Sequence, residues 1–68
     1  MTLRSILARN LRRLRLANGL SQEALAHRAG LDRTYISALE RERYSASVDT
    51  LENLARGLDV EPAELISR

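Results

Sequence analysis

The sequence predicts an all-α fold, a compact bundle of five helices. Apolar residues recur at spacings of three and four, which is the pattern of a helix with one buried face. Helix-capping residues separate these segments at short intervals. No segment alternates between apolar and polar residues over a useful length, so no sheet is expected. The chain has 68 residues, and residues 1–68 are predicted to form one domain.

The first predicted helix carries one apolar stripe and ends at an Asn-Gly pair. Asn18 and Gly19 mark its end, because glycine readily adopts the left-handed conformation found after helix C-termini. Arg9, Arg12 and Arg13 are expected on its solvated face. The stripe consists of Leu3, Leu7, Leu11 and Leu14.

Two capping residues delimit the second and third predicted helices. Ser21 offers an N-cap hydroxyl to a helix over roughly residues 22–28. Gly30 lies in the short turn that follows, where a positive backbone φ is required. Asp32 is the expected N-cap of a third helix over residues 33–41. The residues expected to fill the space between these two helices are Leu25, Ala26, Ala29, Leu31, Ile36 and Leu39.

Two further helices are predicted after a loop at residues 42–46. Either Ser47 or Asp49 caps the fourth helix. After a connection at residues 59–61, Pro62 lies at the first position of a short fifth helix, where proline is tolerated. The predicted apolar face of the fourth helix comprises Val48, Leu51, Leu54, Ala55 and Leu58, and that of the fifth comprises Leu65 and Ile66.

Positive charge is concentrated in the first part of the chain. Residues 1–43 contain nine arginines and four acidic residues, a net charge of +5, whereas residues 44–68 contain two arginines and five acidic residues, a net charge of −3. This asymmetry suggests a polyanion as partner of the first part. On charge alone, an ordinary solvated helix surface explains it equally well.

Composition argues against several classes of protein. There is no cysteine, and a single histidine, His27, cannot form a metal site by itself, so neither metal nor cofactor is expected. No apolar run is long enough for a membrane span, which indicates a soluble, cytoplasmic protein. Nothing supports an enzyme, because there is no paired carboxylate in an apolar setting and no glycine-rich phosphate loop.

Residues 22–41 have the spacing of two helices that cross steeply through a very short turn, a helix-turn-helix. The outward positions of the third helix hold short or hydrogen-bonding side chains and arginine. Such a surface suits a helix that lies in the major groove of DNA. These outward residues are Arg33, Thr34, Ser37, Ala38 and Arg41.

The segment LSQEALAHRAGLDRTYISAL, residues 20–39, resembles the Cro/C1-type (Xre-like) helix-turn-helix family of phage repressors and bacterial regulators. The resemblance continues through VDTL at 48–51 and VEPAEL at 60–65. The segment LDRTYIS, residues 31–37, also resembles the controller proteins of restriction-modification systems. The resemblance implies a lambda repressor-like fold and a sequence-specific regulator of transcription that binds double-stranded DNA.

The resemblance also implies roles for individual residues around the third helix. Gln22 would contact a phosphate at the start of the second helix. Tyr35 would either reach the DNA backbone or pack against the second helix. The alternative to DNA contact is, for Arg33, an ordinary solvated position on the surface. For Thr34, it is a role only in the first turn of the helix. Base edges are expected to face Arg33, Thr34 and Ser37, and flanking phosphates to face Arg41, Arg43 and Tyr44.

The family pairs an arginine of the first helix with a glutamate late in the third, and Arg15 and Glu40 occupy those positions. Such a structural ion pair would brace the recognition helix. The chain also departs from the family pattern, since Glu42 stands where glycine is frequent. As an acid close to the phosphates, Glu42 is expected to turn outward or to pair with Arg41 or Arg43.

The small size of one DNA-binding module favours a homodimer on a palindromic operator, and so do apolar residues of the acidic second part that exceed what one small core can cover. Helices four and five, residues 48–67, are the expected dimerisation region. The alternative is a protein-interaction module, such as an antitoxin or an assembly adaptor, in which DNA contact is secondary. The residues predicted to form the dimer interface are Leu58, Val60, Leu65 and Ile66.

Overall fold

A computed structural model describes residues 1–68 and contains five α-helices and no strand. The all-α prediction is therefore confirmed. The second helix is one residue longer than predicted, and the third ends one residue earlier. The helices are α1 (Leu3–Ala17), α2 (Gln22–Ala29), α3 (Arg33–Glu40), α4 (Val48–Leu58) and α5 (Pro62–Leu65).

Short polar side chains begin the first four helices. Thr2 and Ser5 form a reciprocal capping box at the start of α1. The Ser21 hydroxyl accepts a hydrogen bond from the backbone N–H of Ala24, which satisfies one free donor of α2. Of the two candidate caps of α4, Ser47 is the one that accepts a backbone N–H. Local hydrogen bonding thus sets where the helices start.

Four helices end in the same type of turn, with one residue in the left-handed conformation. At each end, the next backbone N–H reaches a carbonyl five residues back, as in Leu31 to Ala26 at 2.9 Å and Arg43 to Ala38 at 2.8 Å. Each turn reverses the chain within very few residues. The left-handed residues are Gly19, Gly30, Glu42 and Asp59, with φ angles of 67°, 68°, 62° and 57°.

The core is one cluster to which every helix contributes. Four residues depart from their predicted positions. Leu3 and Val48 are 64% and 81% exposed because they lie in the first turns of α1 and α4, where no neighbouring element covers them. Ile66 follows the end of α5 and is 41% exposed. Ala38, predicted to face outward, is buried beneath the chain that folds back after α3.

The central residues of the cluster match the predicted wedge between α2 and α3. Leu31 is half-buried against it. The cluster comprises Leu7, Leu11, Leu14, Leu25, Ala26, Ala29, Ile36, Leu39, Leu54, Ala55, Leu58 and Leu65.

A buried asparagine ties the end of the chain to the first helix. Asn10 is 2% exposed, and its Nδ2 donates to the carbonyls of Leu65 at 3.1 Å and Ser67 at 2.7 Å. Arg9 donates to the same Ser67 carbonyl at 3.1 Å. Because a buried amide without partners is costly, these bonds fix the path of residues 65–67 across α1.

Helix α4 supports α2 through a close contact at Gly57. A Cβ atom placed on Gly57 would lie 3.3 Å from the Cβ and the backbone nitrogen of Ala29. It would also lie 3.3 Å from a methyl group of Leu25. Gly57 therefore lets α4 approach the helix that precedes the Gly30 turn.

We expect Gly57→Val to lower the free energy of unfolding by about 1–3 kcal/mol, because the side chain must displace the backbone of α2. Urea unfolding followed by circular dichroism measures the change. The matched control is Arg56→Val, which places the same β-branched residue at an exposed position of α4. Because valine has a higher helix propensity than glycine, an unchanged or raised stability of Gly57→Val would show that the close contact imposes no cost.

Candidate nucleic-acid interface

The exposed face of α3 is polar and basic. Arg33 and Thr34 are exposed in its first turn, and Ser37 is half-buried one turn further along. Ile36 and Leu39 lie on the opposite face, in the core. The burial of these two residues fixes which side of α3 is available to a ligand.

The first turn of α3 is fixed by its cap. The Asp32 carboxylate accepts a hydrogen bond from the backbone N–H of Thr34 at 2.8 Å. This bond, assisted by the nearby Arg33 guanidinium, lowers the pKa of the Asp32 carboxyl below its ordinary value. The cap is therefore ionised at neutral pH, and it orders the turn that carries Arg33 and Thr34.

The far end of α3 is held by a buried ion pair. Arg15 Nε lies 2.6 Å from Glu40 Oε2, and Arg15 Nη2 lies 3.0 Å from Glu40 Oε1. The two side chains are only 10% and 5% exposed, respectively. The hydrogen bond to Glu40 raises the pKa of the Arg15 guanidinium. Arg15 Nη1 also donates to the carbonyl of Leu20 at 2.8 Å, so the pair connects α1, the α1–α2 turn and α3.

Gln22 belongs to the same network, which the sequence prediction missed. Its Nε2 donates to Glu40 Oε1 at 3.3 Å, and the residue is half-buried at the first position of α2. Glu40 therefore holds the side chain that was predicted to contact a phosphate. No periodic pattern in the sequence signals a bond between the start of one helix and the end of the next.

Residues 41–44 extend the polar face beyond α3. Arg41, Arg43 and Tyr44 are exposed, and together with Thr34 and Ala38 they line a shallow groove. Glu42 is exposed and lies in no salt bridge, so it pairs with neither neighbouring arginine. Of the two arrangements expected for Glu42, the structure has the outward one.

Tyr35 lies at the edge of this face and bonds within the chain. Its hydroxyl donates to the backbone carbonyl of Ser45 at 3.1 Å. Its ring centroid lies 6.3 Å from that of Tyr44, with the ring planes tilted by 45°. The structure thus places Tyr35 against the loop after α3.

The residues predicted to form a dimer interface are separated by the fold. The prediction is wrong for Leu58 and Leu65, which are 1% and 0% exposed because α4 and α5 bury them in the chain's own core. Val60 is half-buried and Ile66 is exposed. Ile66 borders an apolar groove, and the apolar residues lining that groove are Leu3, Leu7, Ala46, Leu51 and Ile66.

No cluster of histidine, cysteine, aspartate and glutamate has the proximity required to hold a metal ion. None of the five helices combines the length and apolar character that a membrane crossing requires.

Two helices joined at Gly30, the second with an exposed polar and basic face, define a helix-turn-helix protein. A family model described as "Helix-turn-helix" matches residues 11–65. The chain belongs to this family, whose Xre-type members are DNA-binding regulators of transcription rather than enzymes.

Three similar proteins place the chain within the family. A hypothetical transcription factor of Neisseria meningitidis is 45% identical over 94% of the chain, which spans 60% of that protein's length. The restriction-modification controller protein C.AhdI of Aeromonas hydrophila has a structure with a TM-score of 0.88 at 45% identity, covering 91% of this chain and 94% of C.AhdI.

The third is the restriction-modification controller protein C.Esp1396I, whose structure was determined as a tetramer in complex with its natural 35-base-pair operator. Its TM-score is 0.88 at 35% identity, and the match covers 96% of this chain and 86% of C.Esp1396I.

We expect Glu42→Gly to raise the free energy of unfolding by up to about 1 kcal/mol, because glycine adopts a positive φ without the steric cost that Glu42 incurs. The control is Arg41→Gly at the adjacent exposed position, where φ is −95° and glycine only adds flexibility. Urea unfolding of both variants measures the difference. If both variants lose the same stability, the left-handed conformation at residue 42 costs nothing.

Proposed function

We propose that the chain regulates transcription by binding a palindromic operator as a homodimer, with α3 in the major groove. The observation that carries the proposal is the polar face of α3, presented by a helix that is fixed at both ends. The Asp32 cap orders its first turn, and the Arg15–Glu40 pair anchors its last. A helix held this way places its side chains with little loss of entropy on binding.

Base edges are read by side chains in the first half of α3. Arg33 is exposed and can form two parallel hydrogen bonds with guanine. Thr34 can offer its methyl group to thymine or its hydroxyl to a phosphate. Ser37 lies three residues after Thr34, on the same side of the helix, and can reach an adjacent base.

Phosphate contacts flank this reading surface on two sides. At the start of α2, the backbone amide of Gln22 belongs to the free donors of a helix N-terminus, which attract anions. After α3, Arg41, Arg43 and Tyr44 line the groove next to Thr34. The net charge of +5 over residues 1–43 favours this side of the molecule as the one that faces DNA.

Dimerisation uses the apolar groove bordered by Ile66, instead of the residues that the fold buries. Leu3 and Ile66 expose large apolar side chains at this groove, and Leu51 contributes to its lining. A second copy that covers them removes this apolar surface from water. The assembly of C.Esp1396I on its operator as a tetramer supports the use of several copies on one DNA site.

The subtype we propose is a controller of a restriction-modification system. C.AhdI and C.Esp1396I, both described as such controllers, share the fold at TM-scores of 0.88. The alternative is a protein-interaction module in which DNA binding is secondary. Purification of the chain with a different protein bound, and without selective DNA binding, would favour that alternative.

Selection of DNA from random duplexes tests the reading surface. We expect the wild-type chain to select a symmetric sequence. We expect Arg33→Ala to lose preference at one symmetric base position, by about 1–3 kcal/mol, because a bidentate contact to one base is removed.

The control for this selection is Arg12→Ala, an exposed arginine of α1, which should leave the selected sequence unchanged. If Arg33→Ala weakened DNA binding equally for all sequences, Arg33 would contact a phosphate and not a base.

Sedimentation at micromolar concentration tests the dimer. We expect Ile66→Glu to raise the dimer dissociation constant at least tenfold, about 1.4 kcal/mol, because a charge is placed in the apolar contact. Leu16→Glu is the matched control, since Leu16 is 56% exposed but does not line the groove. A wild-type chain that stays monomeric even with bound operator would contradict the dimer.

A further inference from the structure

Residues 41–45 follow the recognition helix and are all exposed. Burial of apolar surface therefore contributes little to their conformation. Three backbone bonds hold the first part: Arg41 N–H to Ser37 at 3.1 Å, Glu42 N–H to Leu39 at 3.1 Å and Arg43 N–H to Ala38 at 2.8 Å. Beyond Arg43, the path of this segment depends on other contacts.

Tyr35 supplies two of those contacts, and Ala46 packs against the core directly after the segment. Its hydroxyl makes the only side-chain hydrogen bond from the rest of the chain to residues 42–46, at the carbonyl of Ser45. The Tyr35 ring also packs against the Tyr44 ring at 6.3 Å. Tyr35 is itself half-buried against the core, so it connects an exposed segment to the rigid part of the molecule.

The segment that Tyr35 holds forms one wall of the groove beside α3. Thr34 and Ala38 provide the helical wall, and Arg41, Arg43 and Tyr44 complete the lining. If residues 41–45 moved freely, the side chains of Arg41, Arg43 and Tyr44 would lose more conformational entropy on contacting DNA. The backbone of Arg43 is bonded to Ala38 of α3, and the position of Tyr44 relative to α3 depends further on the hydroxyl and ring contacts of Tyr35.

We propose that Tyr35 is a positioning residue for DNA binding: it fixes residues 41–45 so that Arg43 and Tyr44 meet the phosphates of the flanking strand. The proposal rests on the proposed function for the identity of the ligand. The Tyr35 hydroxyl has one hydrogen, so donating it to a DNA phosphate would require breaking its bond to Ser45. The role therefore differs from the base and phosphate contacts assigned to its neighbours on α3.

The first experiment needs no DNA. ¹⁵N relaxation of the free protein measures the order parameters of backbone amides in residues 41–46. We expect Tyr35→Phe to lower them below the values of the rigid helices and to leave α1–α5 unchanged. Ser45→Ala is the matched control, because the accepting backbone carbonyl remains. Unchanged order parameters in Tyr35→Phe would overturn the proposal.

The second experiment is a mutant cycle on operator binding. We expect Tyr35→Phe to weaken binding about tenfold on matched and mismatched duplexes alike, with the selected base preference retained and the salt dependence reduced. Because Tyr35 acts through Arg43 and Tyr44, the same change in a background that carries both Arg43→Ala and Tyr44→Ala should alter affinity less than about twofold.

Two further results would overturn the role of Tyr35. Additive losses in the cycle, or loss of preference at one base pair in Tyr35→Phe, would show that Tyr35 contacts DNA directly. A wild-type chain that selects no duplex would contradict the proposed function itself. The relaxation experiment needs no DNA, so it shows independently whether Tyr35 orders residues 41–46.

Discussion

The carboxylate of Glu40 is the point on which the geometry of the DNA-binding face depends. It accepts hydrogen bonds from Arg15 and Gln22, which lie in different helices, and Arg15 also reaches the carbonyl of Leu20. The pair is almost fully removed from water, so removal of one partner would leave an uncompensated charge in the interior. One acidic side chain thereby couples the start of α2, where an anion would bind, to the last turn of α3, the helix whose first half would read bases.

Contacts away from the polar face of α3 stabilise this arrangement. Gly57 lets α4 lie close against α2, and Asn10 fastens residues 65–67 to α1. Neither contact touches the polar face of α3, yet both determine how firmly the helices beneath it are held. The polar face of α3 is thus left open to a ligand, while α4 and α5 supply packing, and Leu3, Leu51 and Ile66 line the candidate surface for a second copy.

Local features of the sequence predicted the helices, because caps and apolar spacing act within one or two turns. They did not predict which neighbour covers a given side chain. Leu58 and Leu65 were assigned to an interface although the fold buries them, and Ala38 was placed outward although the returning chain covers it. The polar face of α3 followed from spacing and family resemblance. The bond from Tyr35 to Ser45 did not, since the path of residues 41–45 follows no periodic pattern.

The bonds of Asn10 also have a consequence for the timing of folding. Their acceptors lie 55 and 57 residues further along the chain. During synthesis, α1 emerges first, and the acceptors of the Asn10 amide follow only with Leu65 and Ser67. In a chain that lacks these residues the amide bonds with water, and burying it without its acceptors would cost free energy, which disfavours a compact state around it. The burial of Asn10 therefore waits for residues 65–67.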